Sequence, residues 1–195
     1  MSILPATAQE FKLGPEGYFQ NQGVNVMGFD DIYPEGHQGG VSLIMHGHRV
    51  ATNGDIRLEP TPGQWQPVPK QRKRDLDPVA NTITARLSFP DSSRHLTGFN
   101  PIIYPDLAFD YTVTVKGEAG SVVVTVDLDR PIPQEFIGKV GFNLELFPGA
   151  LFGKPWIMDT QTGIFPQQAN GPTRYEPANH SHTGNFNPEG KASAE

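Results

Sequence analysis

Short runs in which every second residue is apolar recur along this chain, separated by stretches rich in turn-forming residues. From Thr82 to Phe89, Ile83, Ala85, Leu87 and Phe89 alternate with Thr82, Thr84, Arg86 and Ser88, the period-two pattern of a half-buried strand. Phe109, Tyr111, Val113 and Val115 repeat it, then Val122, Val124, Val126 and Leu128, with Gly117 to Gly120 expected to form the hairpin loop between them. Val140, Phe142, Leu144 and Leu146 mark another strand, with Asn143 and Glu145 on its other face. Upstream, Val41 to Ile44 and Arg49 to Ala51 flank His46-Gly47-His48, and Asp55 to Glu59 follows Asn53-Gly54. That dipeptide suits a tight hairpin turn, because both residues tolerate positive φ. The whole reads as an all-β chain: an antiparallel β-sandwich, either a jelly roll or a larger mutarotase-like supersandwich, with few or no helices.

From Pro166 onward the alternation stops, and Gln, Asn, Gly, Pro and Ser dominate. The expected organisation is one sandwich domain over residues 1–174 and a polar linker or tail over 175–195. A chain of 195 residues is long enough to bury one core. The 21 Gly and 19 Pro fit frequent turns better than helices.

Charge narrows the partners. A formal net charge of -6 argues against nucleic acid and anionic membranes, which reward clustered basic surface. The one basic run, Lys70, Arg72, Lys73 and Arg74, is followed at once by Asp75 and Asp77, and reads as a solvated loop between strands. With no cysteine, disulfide and thiolate chemistry are absent and the compartment stays open. No apolar stretch is long enough to span a bilayer and no signal-peptide pattern follows Met1, so a cytoplasmic protein, or one whose export signal has been removed, is expected.

Candidate chemistry is sparse. His46 and His48, two apart, would leave one face of a strand together and could share a metal, a spacing repeated by His180 and His182. Only His37 and His95 remain as histidine partners, so hydrogen bonding within the strand is the simpler use. Asp30-Asp31, with Asp106 and Asp110, offers carboxylates for acid–base work or calcium, although turn capping is the commoner role. No nucleophile elbow, phosphate-cradling loop or zinc-protease motif occurs, so no catalytic residue and no required cofactor is assigned.

Aromatic residues in Gly/Pro-rich segments carry more information: Tyr18, Phe19, Phe29, Tyr33, Trp65, Tyr104 and Trp156. Such rings stack on the C–H faces of sugars, and loops are where a sandwich displays a ligand surface. Trp65, between Pro62 and Pro67, is the one best placed for exposure.

Three segments together resemble a known family. They are His46-Gly-His-Arg-Val-Ala-Thr-Asn-Gly-Asp-Ile-Arg-Leu-Glu59 running into Thr61-Pro-Gly-Gln-Trp65; Gly138-Lys-Val-Gly-Phe-Asn-Leu-Glu-Leu-Phe147; and Leu151-Phe-Gly-Lys-Pro-Trp-Ile-Met-Asp159 leading to Gly163-Ile-Phe-Pro166. They resemble the β-sandwich region that precedes the immunoglobulin-like and catalytic domains of some bacterial family 9 glycoside hydrolases, the cellulase family. The resemblance implies a polysaccharide-degrading parent enzyme, secretion or export to the periplasm, and a module without hydrolytic residues of its own.

Two roles are expected from this. The module binds β-glucan or cellulose through Trp65, Trp156, Gln64, Asp55, Arg57 and Tyr104, or it packs through the same aromatics against neighbouring domains of its parent. A third reading is a small metal-dependent enzyme built on His46 and His48.

Overall fold

In the computed structural model the described residues are 10–30, 39–59, 66–93, 102–165, 174–176 and 181–183. The chain is all-β, and its strands pair antiparallel. It divides into two compact units: residues 1–47 with 51–145, and residues 48–50 with 146–195.

Two sheets are built mainly from the first unit. One is built from β1 (Lys12–Leu13), β2 (Phe19–Asn21), β3 (Val24–Gly28), β4 (Val41–Met45), β5 (His48–Leu58) and β10 (Val140–Leu146), in the order β1-β2-β3-β4-β5-β10. The other is β6 (Lys70–Asp77), β7 (Thr82–Phe89), β8 (Phe109–Glu118) and β9 (Ser121–Leu128), a meander in sequence order.

The alternating positions of β7 and β8 fill the space between the sheets, whereas Leu128 on β9 and Phe142 on β10, expected on buried faces, are 38% and 41% exposed. Ile83, Ala85, Val113 and Val115 have no exposed surface, and they share one cluster with Phe19, Val26, Val41, Ile56 and Leu58 from the other sheet and with Phe29, which follows β3. Each fully buried Ile, Val, Leu or Phe side chain among them contributes about 1.5–3 kcal/mol. Phe89 stacks on Phe109 with centroids 5.3 Å apart, and Phe109 lies 5.6 Å from Tyr111. These apolar strand faces form the sandwich core. The second unit contains the hairpin β11 (Pro155–Met158) with β12 (Gln161–Ile164), and a short ribbon of β13 (Arg174–Glu176) with β14 (Ser181–Thr183). That ribbon falls at and beyond the expected domain end. Among the described residues no helix is long and apolar enough to cross a membrane.

Several local expectations are corrected. Asn53-Gly54 is not a hairpin turn. Asn53 has φ 56° inside β5, which runs unbroken for 11 residues, so the left-handed residue kinks a strand instead of ending it. Gly54 is required there, because a Cβ would lie 2.7 Å from Val41 Cβ and 2.9 Å from the Val41 carbonyl oxygen. His46 and His48 do not share a strand face: His46 (φ 49°) and Gly47 (φ 80°) form the turn between β4 and β5.

The basic run is a strand, not a loop. β6 pairs with β7 along its length, with a register shift between Gln71 and Lys73. Gly117 lies within β8, opposite Val122, which moves the hairpin turn to Ala119-Gly120. Phe19 and Phe29, 0% and 3% exposed, belong to the core and display nothing.

Candidate functional site

Strand β5 carries Asp55 and Arg57, and the two side chains have different fates. Asp55 is buried, and its Oδ1 accepts from the Tyr111 hydroxyl at 2.7 Å and from the Ile56 backbone N–H at 2.8 Å. Burial outweighs these bonds and the nearby Arg57 charge, and pushes the carboxyl from 3.8 up to about 6. The Tyr111 hydroxyl is raised well above the usual phenol range, first by burial and then by the Asp55 charge. This pair ties the two sheets together. It is not displayed for a ligand.

Arg57 stands at the surface end of the same strand, its side chain 24% exposed. Its Nη2 donates to Glu145 Oε1 on β10, and its Nη1 lies 3.9 Å from Glu59 Oε1. Glu145 Oε2 accepts from Asn53 Nδ2 at 2.7 Å, and Gln66 Nε2 donates to Glu59 Oε1 at 2.8 Å. The kink at Asn53 brings its amide to Glu145, which lies 92 residues further along the chain. Two buried amide atoms, Asn53 Oδ1 and Asn143 Nδ2, have no hydrogen-bond partner among the described residues. Asn143 sits two residues before Glu145, on the same face of β10. Both amide atoms are enclosed, so the groups of this cluster that face solvent are those of Arg57, Glu59 and Glu145.

The expected site residues are therefore only partly gathered. Gln64 and Trp65 lie outside the described residues, as do Asp31, Tyr33 and Thr61. Gln66, one residue beyond Trp65, reaches the Arg57 cluster through Glu59. Tyr104 donates its hydroxyl to the Asp91 carbonyl at 3.1 Å. Asp30 lies 3.8 Å from Arg74, whose guanidinium also donates to the Gly28 and Gly17 carbonyls, and Asp106 is exposed in the segment before β8.

Trp156 belongs to the second unit, on β11 opposite Gly163. A Cβ on Gly163 would fall 2.5 Å from Trp156 Cζ2 and 2.6 Å from Cε2, so the indole lies directly over the glycine and is held by it. The ring is half-buried, and a pinned indole is oriented before any ligand arrives.

Sequence reasoning missed Glu145, Glu59, Asn53 and Gln66. The available signal was the polar pair Asn143 and Glu145 on the other face of the β10 alternation. Among the described residues no group of three His, Asp or Glu side chains could hold a metal ion. No family model, curated protein or solved structure matches the chain.

Proposed function

We propose that the chain is a non-catalytic, polysaccharide-associated module of a glycoside hydrolase acting outside the cytoplasm, and that it holds β-glucan or cellulose at the Arg57 cluster. The sugar class rests on the family 9 likeness of its three segments. The observation that carries the site is the Arg57 guanidinium set between Glu145 and Glu59, whose carboxylate side chains are 41% and 62% exposed. Carboxylates that share a guanidinium accept from sugar hydroxyls, and the guanidinium donates to the neighbouring oxygen, so one cluster engages a vicinal diol from both sides. In the second unit Trp156 offers an aromatic face, held on Gly163, suited to stacking on a pyranose ring.

Affinity electrophoresis in mixed-linkage β-glucan, cellulose derivatives and xylan tests this. Wild type is retarded, and Glu145→Ala loses about 1–3 kcal/mol of affinity, the cost of a hydrogen bond to a charged group. Trp65→Ala and Trp156→Ala lose a comparable amount if each ring stacks on sugar. Unretarded wild-type protein in all three gels refutes the binding role.

A second reading has its own support. In the small second unit Phe152, Ile157, Met158 and Ile164 are 53%, 78%, 61% and 67% exposed, a density of exposed apolar groups that marks contact surfaces. Under this reading the unit packs against neighbouring domains of the parent enzyme. The isolated chain then binds a hydrophobic dye such as anilinonaphthalene sulfonate, and Ile157→Lys lowers that binding without lowering the melting temperature. Wild type that binds no dye removes this reading.

A further inference from the structure

We infer that the outward face of the β6-β7-β8-β9 sheet carries a second binding site, separate from the Arg57 cluster, for a neutral polyhydroxylated chain such as a glucan. The site is a cleft of about 730 Å³ whose polar lining comes from Arg72, Arg86, Asp110, Thr112, Asp127 and Asp129. It lies on the opposite side of the sheet from the core. Tyr111 turns inward to Asp55, so its neighbours Asp110 and Thr112 turn outward.

Pairing register puts Arg86, Thr112 and Asp127 in one row across three adjacent strands. Arg86 and Asp127 are both exposed, and neither has a hydrogen-bond or ion-pair partner among the described residues. Their Cα atoms are two strand spacings apart, about 10 Å. A cation, a hydroxyl and a carboxylate thus stand in line, each free to engage a ligand.

Arg72 enters the cleft by a different route. It is the residue skipped by the register shift between Gln71 and Lys73, and such bulges re-aim a side chain. Its Nε donates to Ser88 Oγ at 2.8 Å, which fixes the guanidinium plane and leaves the two Nη groups for other acceptors. On the far wall Asp129 is already occupied: it takes both Arg130 Nε and Nη2, at 3.0 and 2.7 Å, and its Oδ1 accepts the Asp110 N–H.

The charges select the ligand class. Arg72 and Arg86 oppose Asp110 and Asp127, while Arg130 neutralises Asp129. A polyanion would meet the carboxylates and a metal ion the guanidinium groups, each at a cost in repulsion. A neutral sugar chain meets neither penalty, since its hydroxyls donate to carboxylates and accept from guanidinium groups. Thr84, Thr114 and Thr125 form the adjacent row of the same face, which continues the hydroxyl-lined track beyond the cleft.

The test uses the full chain in affinity electrophoresis with mixed-linkage β-glucan, and heparin as the charged control. Arg86→Ala with Asp127→Ala is expected to weaken glucan retardation about tenfold or more, from two charge-assisted hydrogen bonds lost, at unchanged melting temperature. Backbone amide shifts on adding cellohexaose to wild type should map to residues 84–88, 110–114 and 125–129. Glucan binding lost in Glu145→Ala but intact in the double variant, with no shifts in those segments, overturns this site and leaves the Arg57 reading standing. The reverse pattern upholds the cleft and removes the Arg57 cluster. Wild type retarded by heparin alone, or by neither polymer, also overturns the inference.

Discussion

Replacing Asp55 with asparagine isolates what burying one carboxyl costs this fold. In the folded chain the Asp55 pKa is raised from 3.8 to about 6, chiefly by burial. The native state therefore holds its proton more tightly than the unfolded state does. The contribution of Asp55 to stability is fully present below about pH 3.8 and is lost as pH rises through about 6. The rise corresponds to about 3 kcal/mol across that window, at 1.36 kcal/mol per unit.

The amide introduced by Asp55→Asn cannot titrate, yet its oxygen can accept from both the Tyr111 hydroxyl and the Ile56 backbone N–H. Urea unfolding of wild type and Asp55→Asn at pH 3.5, 5 and 7.5 reads the effect directly, because other titrating groups cancel in the difference. Stability of wild type relative to the variant should fall by about 3 kcal/mol from the lowest to the highest pH, with unchanged urea dependence. A difference that stays flat, or that grows in favour of wild type with rising pH, refutes the argument. It would mean that the Tyr111 and Arg57 interactions outweigh burial.

Asn81 sits at φ 56° and binds three backbone groups, accepting from Leu13 N and donating to the Phe11 and Gly117 carbonyls. Asn81→Ala should cost about 2–4 kcal/mol in urea unfolding, and a loss under about 0.5 kcal/mol would show these bonds to be dispensable. Gly117→Ala should be worse, since its Cβ would collide with the Phe11 carbonyl oxygen and lie 2.7 Å from Asn81 Nδ2. A loss of about 3 kcal/mol or more is expected, and near-wild-type stability would contradict the packing there. Gly163→Ala should displace the Trp156 indole, seen as a shift in tryptophan emission absent from a Trp156→Phe background. Unchanged emission would show that the ring does not rest on the glycine.

The strands most legible in the sequence are those whose two faces meet different surroundings. In β7 and β8 the apolar residues face the core and the polar ones the other side, so burial follows the sequence pattern except at Ser88, which is covered and takes the Arg72 guanidinium. Strand β6 has no such alternation. Its eight residues, Lys70 to Asp77, include a single large apolar side chain, and it is a strand because β7 supplies hydrogen bonds along its length. Asn53-Gly54 misleads because positive φ is needed by strand kinks as well as by hairpin turns. For the site, Asp55 and Arg57 are visible as polar residues in a strand region, but their partners are not. Tyr111 is 56 residues from Asp55, and Glu145 is 88 from Arg57. Pairing over such distances is created by sheet order, and no local pattern announces it.

The charged strand β6 also bears on how the molecule avoids growing. It is an edge of its sheet, the place where a second copy could add a strand and begin a fibre. Lysines, arginines and aspartates along it, together with the bulge at Arg72, make that addition repulsive and out of register. The opposite edge, β9, is rich in valine and has no charge before Asp127, so among the described residues this edge carries no such guard. Self-association of this chain at high concentration should therefore start from β9, and Val123→Lys should suppress it.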